Sequence, residues 1–219
     1  VIGNGHYGGR LELTNPGNDA ADVSKALTAA GFDVIVRTDL DKRGMDRAFS
    51  EFAQKVSGAD AAVFYYSGHA MELAGKNYLM PIGAQLKGES DVPYELSRAD
   101  DVLDELRRAN GVKIAILDSC RDNPVADPIK AQSRTAGNSR GMKMFDKPQG
   151  LLIAFSTQAG KTAADGSGRN SPFTAAFLRN VATPGLEIGQ MFRRVARDVY
   201  DATRMEQLPE LSVSLLGEF

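Results

Sequence analysis

Cys120 is the only cysteine in a chain of 219 residues, and His69 is one of two histidines. Each follows a short apolar run. Ile114-Ala115-Ile116-Leu117 leads into Asp118-Ser119-Cys120-Arg121-Asp122, and Ala61-Ala62-Val63-Phe64-Tyr65-Tyr66 leads into Ser67-Gly68-His69-Ala70. Apolar runs of this length, closed by turn residues, read as buried strands. Both side chains then stand just past the C-terminal end of a strand, where open α/β sheets bind ligands. A thiol attacks as the thiolate, and a neighbouring imidazole is the usual base that produces it. An isolated cysteine is more often a small buried hydrophobe. Here the polar strand-end setting, and a histidine at the matching edge of a preceding strand, favour the nucleophile.

The elements that must bring the two together alternate in type. Val1-Ile2 reads as the end of a first strand whose beginning is not included. A helix is expected from Asn18-Asp19, with Val23, Ala26, Leu27 and Ala30 at helical spacing and Gly31 closing it. Phe32–Val36 follows as a strand and Met45–Val56 as a second helix. After the His69 strand, residues 71–81 read as a hairpin turning at Gly75-Lys76, and residues 97–110 as a helix whose acids Asp100, Asp101, Asp104 and Glu105 form a solvated face. Beyond Cys120, residues 125–150 are polar, with Lys130, Arg134, Arg140, Lys143 and Lys147; a loop of that length is usually functional or disordered. Leu151–Phe155 is a further strand. A second polar loop, 161–170, ends at Ser171-Pro172, a helix start. A helix over 187–204 and a last edge strand over 211–215 complete the chain. Strands alternating with helices predict a mostly parallel sheet of about six strands with helices on both faces, in a single domain spanning 1–219.

Composition narrows the function. The net charge is −2 with 25% charged residues and no block of one sign, which suggests neither nucleic acid nor an anionic membrane as a partner. No apolar run reaches the ~18 residues of a spanning helix. One cysteine excludes an internal disulfide and a CxxC zinc site, and suits a reducing cytoplasm or a bacterial periplasm equally, so localisation is left open. Gly3-Asn4-Gly5-His6-Tyr7-Gly8 matches the dinucleotide pattern G-x-G-x-x-G, with Asp39 available as the ribose acid. In that pattern the last glycine opens a helix, whereas here Leu13-Thr14-Asn15-Pro16-Gly17 intervenes. His6 reads as a loop residue.

The motifs Tyr65-Tyr66-Ser67-Gly68-His69, Asp118-Ser119-Cys120-Arg121 and Phe155-Ser156-Thr157-Gln158-Ala159-Gly160 resemble those of the caspase/metacaspase cysteine peptidases, most of all the bacterial metacaspase-like branch. The resemblance covers nearly the whole chain, and the 51-residue step from His69 to Cys120 is close to the caspase separation of about 50. It implies a caspase-like three-layer fold, with a larger part over 1–124, a linker over 125–150 and a smaller part over 151–219. It also implies His69 as general base, Cys120 as nucleophile, and the backbone N–H groups of Ala70 and Cys120 as the oxyanion hole. The family usually has glycine where Ala70 stands, and metacaspases commonly carry histidine and serine where this chain has Arg121-Asp122. Specificity follows from charge. The position resembling the arginine that holds aspartate in caspases is Asp165, and Asp118 and Asp19 resemble the acids of metacaspases. With Ser156 these would line an acidic pocket for arginine or lysine at the residue before the cut, since a partly dry pocket needs opposite charge. Taken singly, Asp19 reads as a helix cap and Asp165 as a turn residue.

The expectation is a cysteine endopeptidase acting on proteins or peptides after basic residues, self-processing in the 125–150 loop, monomeric, and needing no cofactor. Calcium is a family trait without a supporting spacing of acids here, and no metal site is expected. A catalytically silent caspase-like interaction module is the alternative.

Overall fold

Strand β7, Val112–Asp118, is flanked on both sides by parallel neighbours, and every position from Ile114 to Asp118 is buried. Such continuous burial requires the near-continuous apolar run seen in the sequence. The computed structural model describes residues 1–119, 150–158, 161 and 163–214. Among these, six strands form one sheet in the order β2-β1-β3-β7-β8-β9. They are β1 (Ile2–Gly3), β2 (Arg37–Thr38), β3 (Ala61–Ser67), β7, β8 (Leu151–Phe155) and β9 (Glu210–Val213). All pairs are parallel except β8–β9. A three-stranded antiparallel sheet, β4 (Ala70–Leu73), β5 (Lys76–Leu79) and β6 (Ser97–Arg98), follows directly from β3.

Alternation along the strands sorts side chains into two cores. Phe64, Tyr66, Ala115, Leu117, Ile153 and Phe155 face α2 (Lys42–Val56) and α4 (Ala99–Leu106), where Met45, Val102 and Leu106 are buried. Tyr65, Ile114, Ile116, Leu152 and Ala154 face α1 (Pro16–Ala29), α5 (Pro172–Val181) and α6 (Ile188–Ala202). A short α3 (Val92–Glu95) packs with the small sheet. The result is the expected three-layer α/β sandwich. Each large side chain so buried contributes on the order of 1.5–3 kcal/mol.

Several boundaries differ from the sequence expectation. Helix α1 begins at Pro16 behind Asn15, because proline suits the first turn, where no amide donor is required. Phe32–Val36 lies outside the ladder: β1 is only two residues long, and on the side away from β3 it pairs with Arg37–Thr38 and not with 32–36. The helix expected over 97–110 is confined to Ala99–Leu106, since Ser97 and Arg98 pair with β5. Residues 120–149, which include the basic loop, lie outside the described residues.

Candidate active site

The parallel strands deliver their C-terminal ends to one edge. Ser67 is in register with Asp118, and the Gly68 N–H donates to the Asp118 carbonyl (3.2 Å), carrying the pairing one residue beyond β3. His69 and Ser119 follow at once. A Cβ on Gly68 would lie 2.7 Å from the Tyr7 hydroxyl and 2.8 Å from that of Tyr66, so only glycine allows the turn that presents the histidine.

His69 is 7% exposed. Its Nε2 lies 2.8 Å from the Leu11 carbonyl oxygen, which can only accept, so Nε2 carries the proton. The lone pair of the neutral ring is then on Nδ1, which is buried and has no hydrogen-bond partner among the described residues. Burial holds the imidazole below its usual pKa, opposed by the Leu11 carbonyl and by the charge of Asp165. The ring is therefore a neutral base with a free acceptor at physiological pH. Cys120, joined to Ser119 by one peptide bond, lies outside the described residues. Ser119 is held by Ser156, whose Oγ donates to its carbonyl (3.2 Å), and Ser156 is tied to β7 through Leu117 O (3.0 Å). Ala70 opens β4. Met80 N–H donates to His69 O (2.9 Å), so by antiparallel alternation Ala70–Leu79 is the non-bonded pair, and the Ala70 N–H points away from β5 toward the outer edge of the small sheet.

Asp19, Asp118 and Ser156 come together; none exceeds 5% exposure. Ser171 bridges the acids, its N–H donating to Asp19 Oδ1 (3.1 Å) and its hydroxyl to Asp118 Oδ2 (2.5 Å). Ser67 Oγ donates to Asp19 (3.1 Å), and Thr174 Oγ1 donates to Asp118 (2.8 Å). Burial, and then the neighbouring charge of Asp118, push Asp19 up to about 7. Burial also raises Asp118, against the hydroxyls of Ser171, Thr174 and Ser156. Among the described residues no lysine or arginine forms an ion pair with either acid. The two carboxyls behave as a pair short of positive charge.

Asp165 is half-buried at the start of α1. Its carboxylate accepts from Thr14 N (2.7 Å) and Asn15 N (3.3 Å), and its carbonyl accepts from the Asn15 side chain. It contributes repulsion to Asp118 as well as attraction to His69, so the third acid joins the same neighbourhood. The polar loop before α5 is stitched to α1 by this contact and by Arg169 against Asp22 (2.7 and 3.0 Å).

Sequence reasoning missed the Leu11 carbonyl, Tyr7, Ser67, Ser171 and Thr174. A backbone carbonyl carries no signal in a sequence, and Ser171 is legible only as a helix cap. The Gly3–Gly8 pattern is filled by the chain itself. A Cβ on Gly3 would meet Pro16 O at 2.1 Å, and one on Gly5 would meet Leu13 O at 2.7 Å. Asp39 accepts from Gly5 N, His6 N and the His6 ring, so the acid that a ribose would need is occupied. An apolar groove lined by Phe32, Val34, Phe49 and Phe52 lies by the N-terminal half of β3, and none of the expected site residues lines it.

Residues 1–219 match the family model described as the caspase domain of the C14 peptidases. The human mucosa-associated lymphoid tissue lymphoma translocation protein 1 is 25% identical over 137 residues, which cover 59% of this chain and 16% of that protein. Its mouse homologue matches over the same extent. The chain thus corresponds to a small part of these relatives. Among solved structures, caspase-1 of Spodoptera frugiperda superposes with a TM-score of 0.69 at 20% identity, covering 99% of this chain and 88% of that one.

Proposed function

The chain belongs to the caspase-domain family of peptidases, and on that premise we propose that it is a cysteine endopeptidase cutting after arginine or lysine, of the metacaspase-like branch. The observation that carries the reading is the buried imidazole of His69, its proton fixed on Nε2 by Leu11 and its Nδ1 without a partner among the described residues, together with a pair of buried carboxyls that no lysine or arginine among the described residues pairs. In the proposed cycle Nδ1 takes the Cys120 thiol proton, and the thiolate sulfur attacks the scissile carbonyl carbon. The oxyanion accepts from the N–H groups of Cys120 and Ala70. The C–N bond then breaks, His69 returns the proton to the leaving amine, and water attacks the thioester to release the acid and restore the thiol. A guanidinium or ammonium entering between Asp19, Asp118 and Asp165 supplies the charge that the pocket lacks.

The family glycine replaced by Ala70 favours the silent-module reading only if the turn needs a positive φ. The described non-glycine residues with positive φ are Asp39, Ala74, Arg204 and Met205, so Ala70 adopts its conformation without that strain.

A fluorogenic panel with arginine, lysine or aspartate before the reporter tests the proposal, together with an arginyl chloromethylketone read by mass spectrometry. The expected result is turnover of the two basic substrates, a modified Cys120, and at least a ~10³-fold loss in Cys120→Ala and His69→Ala. Turnover only after aspartate would refute the basic pocket while leaving the peptidase. Absence of turnover on every substrate would favour the binding module.

A further inference from the structure

The loop over residues 4–13 reaches His69 at three points. The Tyr7 hydroxyl accepts from the His69 backbone N–H (3.0 Å) and donates to the Met80 carbonyl (3.0 Å), 3.2 Å from the Tyr66 hydroxyl. The Tyr7 ring leans on the imidazole, centroids 4.7 Å apart and planes tilted by 51°. Four residues on, the Leu11 carbonyl takes the Nε2 proton. From its outer side the loop is fastened by Asp39, which accepts from Gly5 N (2.9 Å), His6 N (3.0 Å) and His6 Nδ1 (2.6 Å). Asn4 closes the base, its side chain donating to Met80 O (3.1 Å) and accepting from Leu40 N (3.0 Å).

We propose that Tyr7 is a positioning residue for His69, and that the glycine-rich loop around it is the seat of the catalytic base rather than a phosphate cradle. The proposal rests on His69 being the base. The hydroxyl fixes the backbone from which the imidazole projects, and the ring shuts water from one face, leaving Nδ1 as the acceptor without a partner among the described residues. Gly5 and Gly8 let the loop fold tightly enough to bring Tyr7 and Leu11 to the same ring: Gly5 lies against Leu13 O, and Gly8 has φ 79°. A tyrosine kept for packing alone would need neither its hydroxyl against His69 nor a loop fastened on its far side.

The experiment reads His69 directly. The chain has two histidines, so His6→Gln leaves a single imidazole to titrate by NMR, in a Cys120→Ala background that removes any turnover. Among the described residues the charged group acting on this ring is Asp165, which the Tyr7 variants leave in place. His69 is expected to titrate below the ordinary value. Tyr7→Phe keeps the ring and should leave that titration low, whereas Tyr7→Leu, which opens the ring face to water, should raise it toward ordinary histidine. With Cys120 and His6 restored, Tyr7→Phe should lower kcat about 10-fold with KM within twofold, as for a lost hydrogen bond acting on geometry. A titration that does not move in Tyr7→Leu, or wild-type kcat in Tyr7→Phe, would overturn the proposal. The NMR arm reads out even if no peptide is cleaved, so failure of the peptidase reading is seen separately. Should Tyr7→Leu not fold, Tyr7→Phe still decides through kcat.

Discussion

Asp19 shows how a single carboxyl takes its protonation from its surroundings. On the solvent side of a helix it would be a capping acid. Buried beside Asp118 it keeps its proton to about pH 7. A carboxyl whose folded pKa is raised contributes stability that is fully present below the free-chain value and is lost as pH rises through the folded value. The melting temperature is therefore expected to fall between about pH 4 and about pH 7 and to level off above, with Asp19→Asn flattening the fall. An arginine-containing reversible inhibitor should raise the melting temperature more at pH 8 than at pH 5, because only the ionised pair attracts its cation. Equal shifts at both pH values would show that the ligand does not reach these acids. His69 moves the opposite way: burial lowers it, so it is neutral and able to accept a proton above a value that lies under the usual histidine range. Activity should accordingly fall on the acid side of that range, measured as kcat/KM against pH.

Helix α5 is the element on which the acidic pair depends. Ser171 caps it by accepting from Thr174 N (2.9 Å), and the same hydroxyl donates to Asp118. One side chain thus ends a helix and satisfies a buried carboxyl. Ser171→Ala should lose about 1 kcal/mol for the cap and a further ~1–3 kcal/mol for the carboxyl left without its donor. Urea unfolding measures this, and a loss below ~0.5 kcal/mol would contradict the double role. Packing of α1 on β1 is equally tight. Gly3→Ala places a methyl 2.1 Å from Pro16 O and should cost at least the upper end of the usual ~1–3 kcal/mol for overpacking. The helix signals behind these contacts were legible: Ser171-Pro172 marked α5, and the apolar spacing of Val23 and Leu27 marked α1. That the α5 cap would also serve Asp118, 53 residues earlier, could not be read from any window of sequence.

Across the whole molecule, the proposed site draws on both sides of the basic 125–150 segment. His69, Asp19 and Asp118 precede it; Ser156, Asp165 and Ser171 follow it. Strands β7 and β8 join the two sides through five paired residues, with β9 added beyond β8. A cut between β7 and β8 would sever the chain but not the sheet. If that segment is cut after one of its five basic residues, as the sequence leads one to expect, the fragments should co-elute on native gel filtration and retain activity. Cleavage that persists in Cys120→Ala would assign the cut to another protease, and separation of the fragments would contradict the shared core.

The sequence by itself determined most of the kinds of element and the letters of the chemistry: the central strands β3, β7 and β8 by their apolar runs, helices by spacing and caps, a cysteine and a histidine following strands, acids two before the cysteine and at the first helix. These are local properties, set by side-chain periodicity within a few residues. The tertiary structure alone decided which nitrogen of His69 is free, which hydroxyls share the buried carboxyls, and that a glycine pattern with an acid at Asp39 closes on its own chain instead of on a phosphate. Those outcomes depend on backbone carbonyls and amides brought together over dozens of residues, and a backbone group is the same at every position until the fold chooses its neighbour.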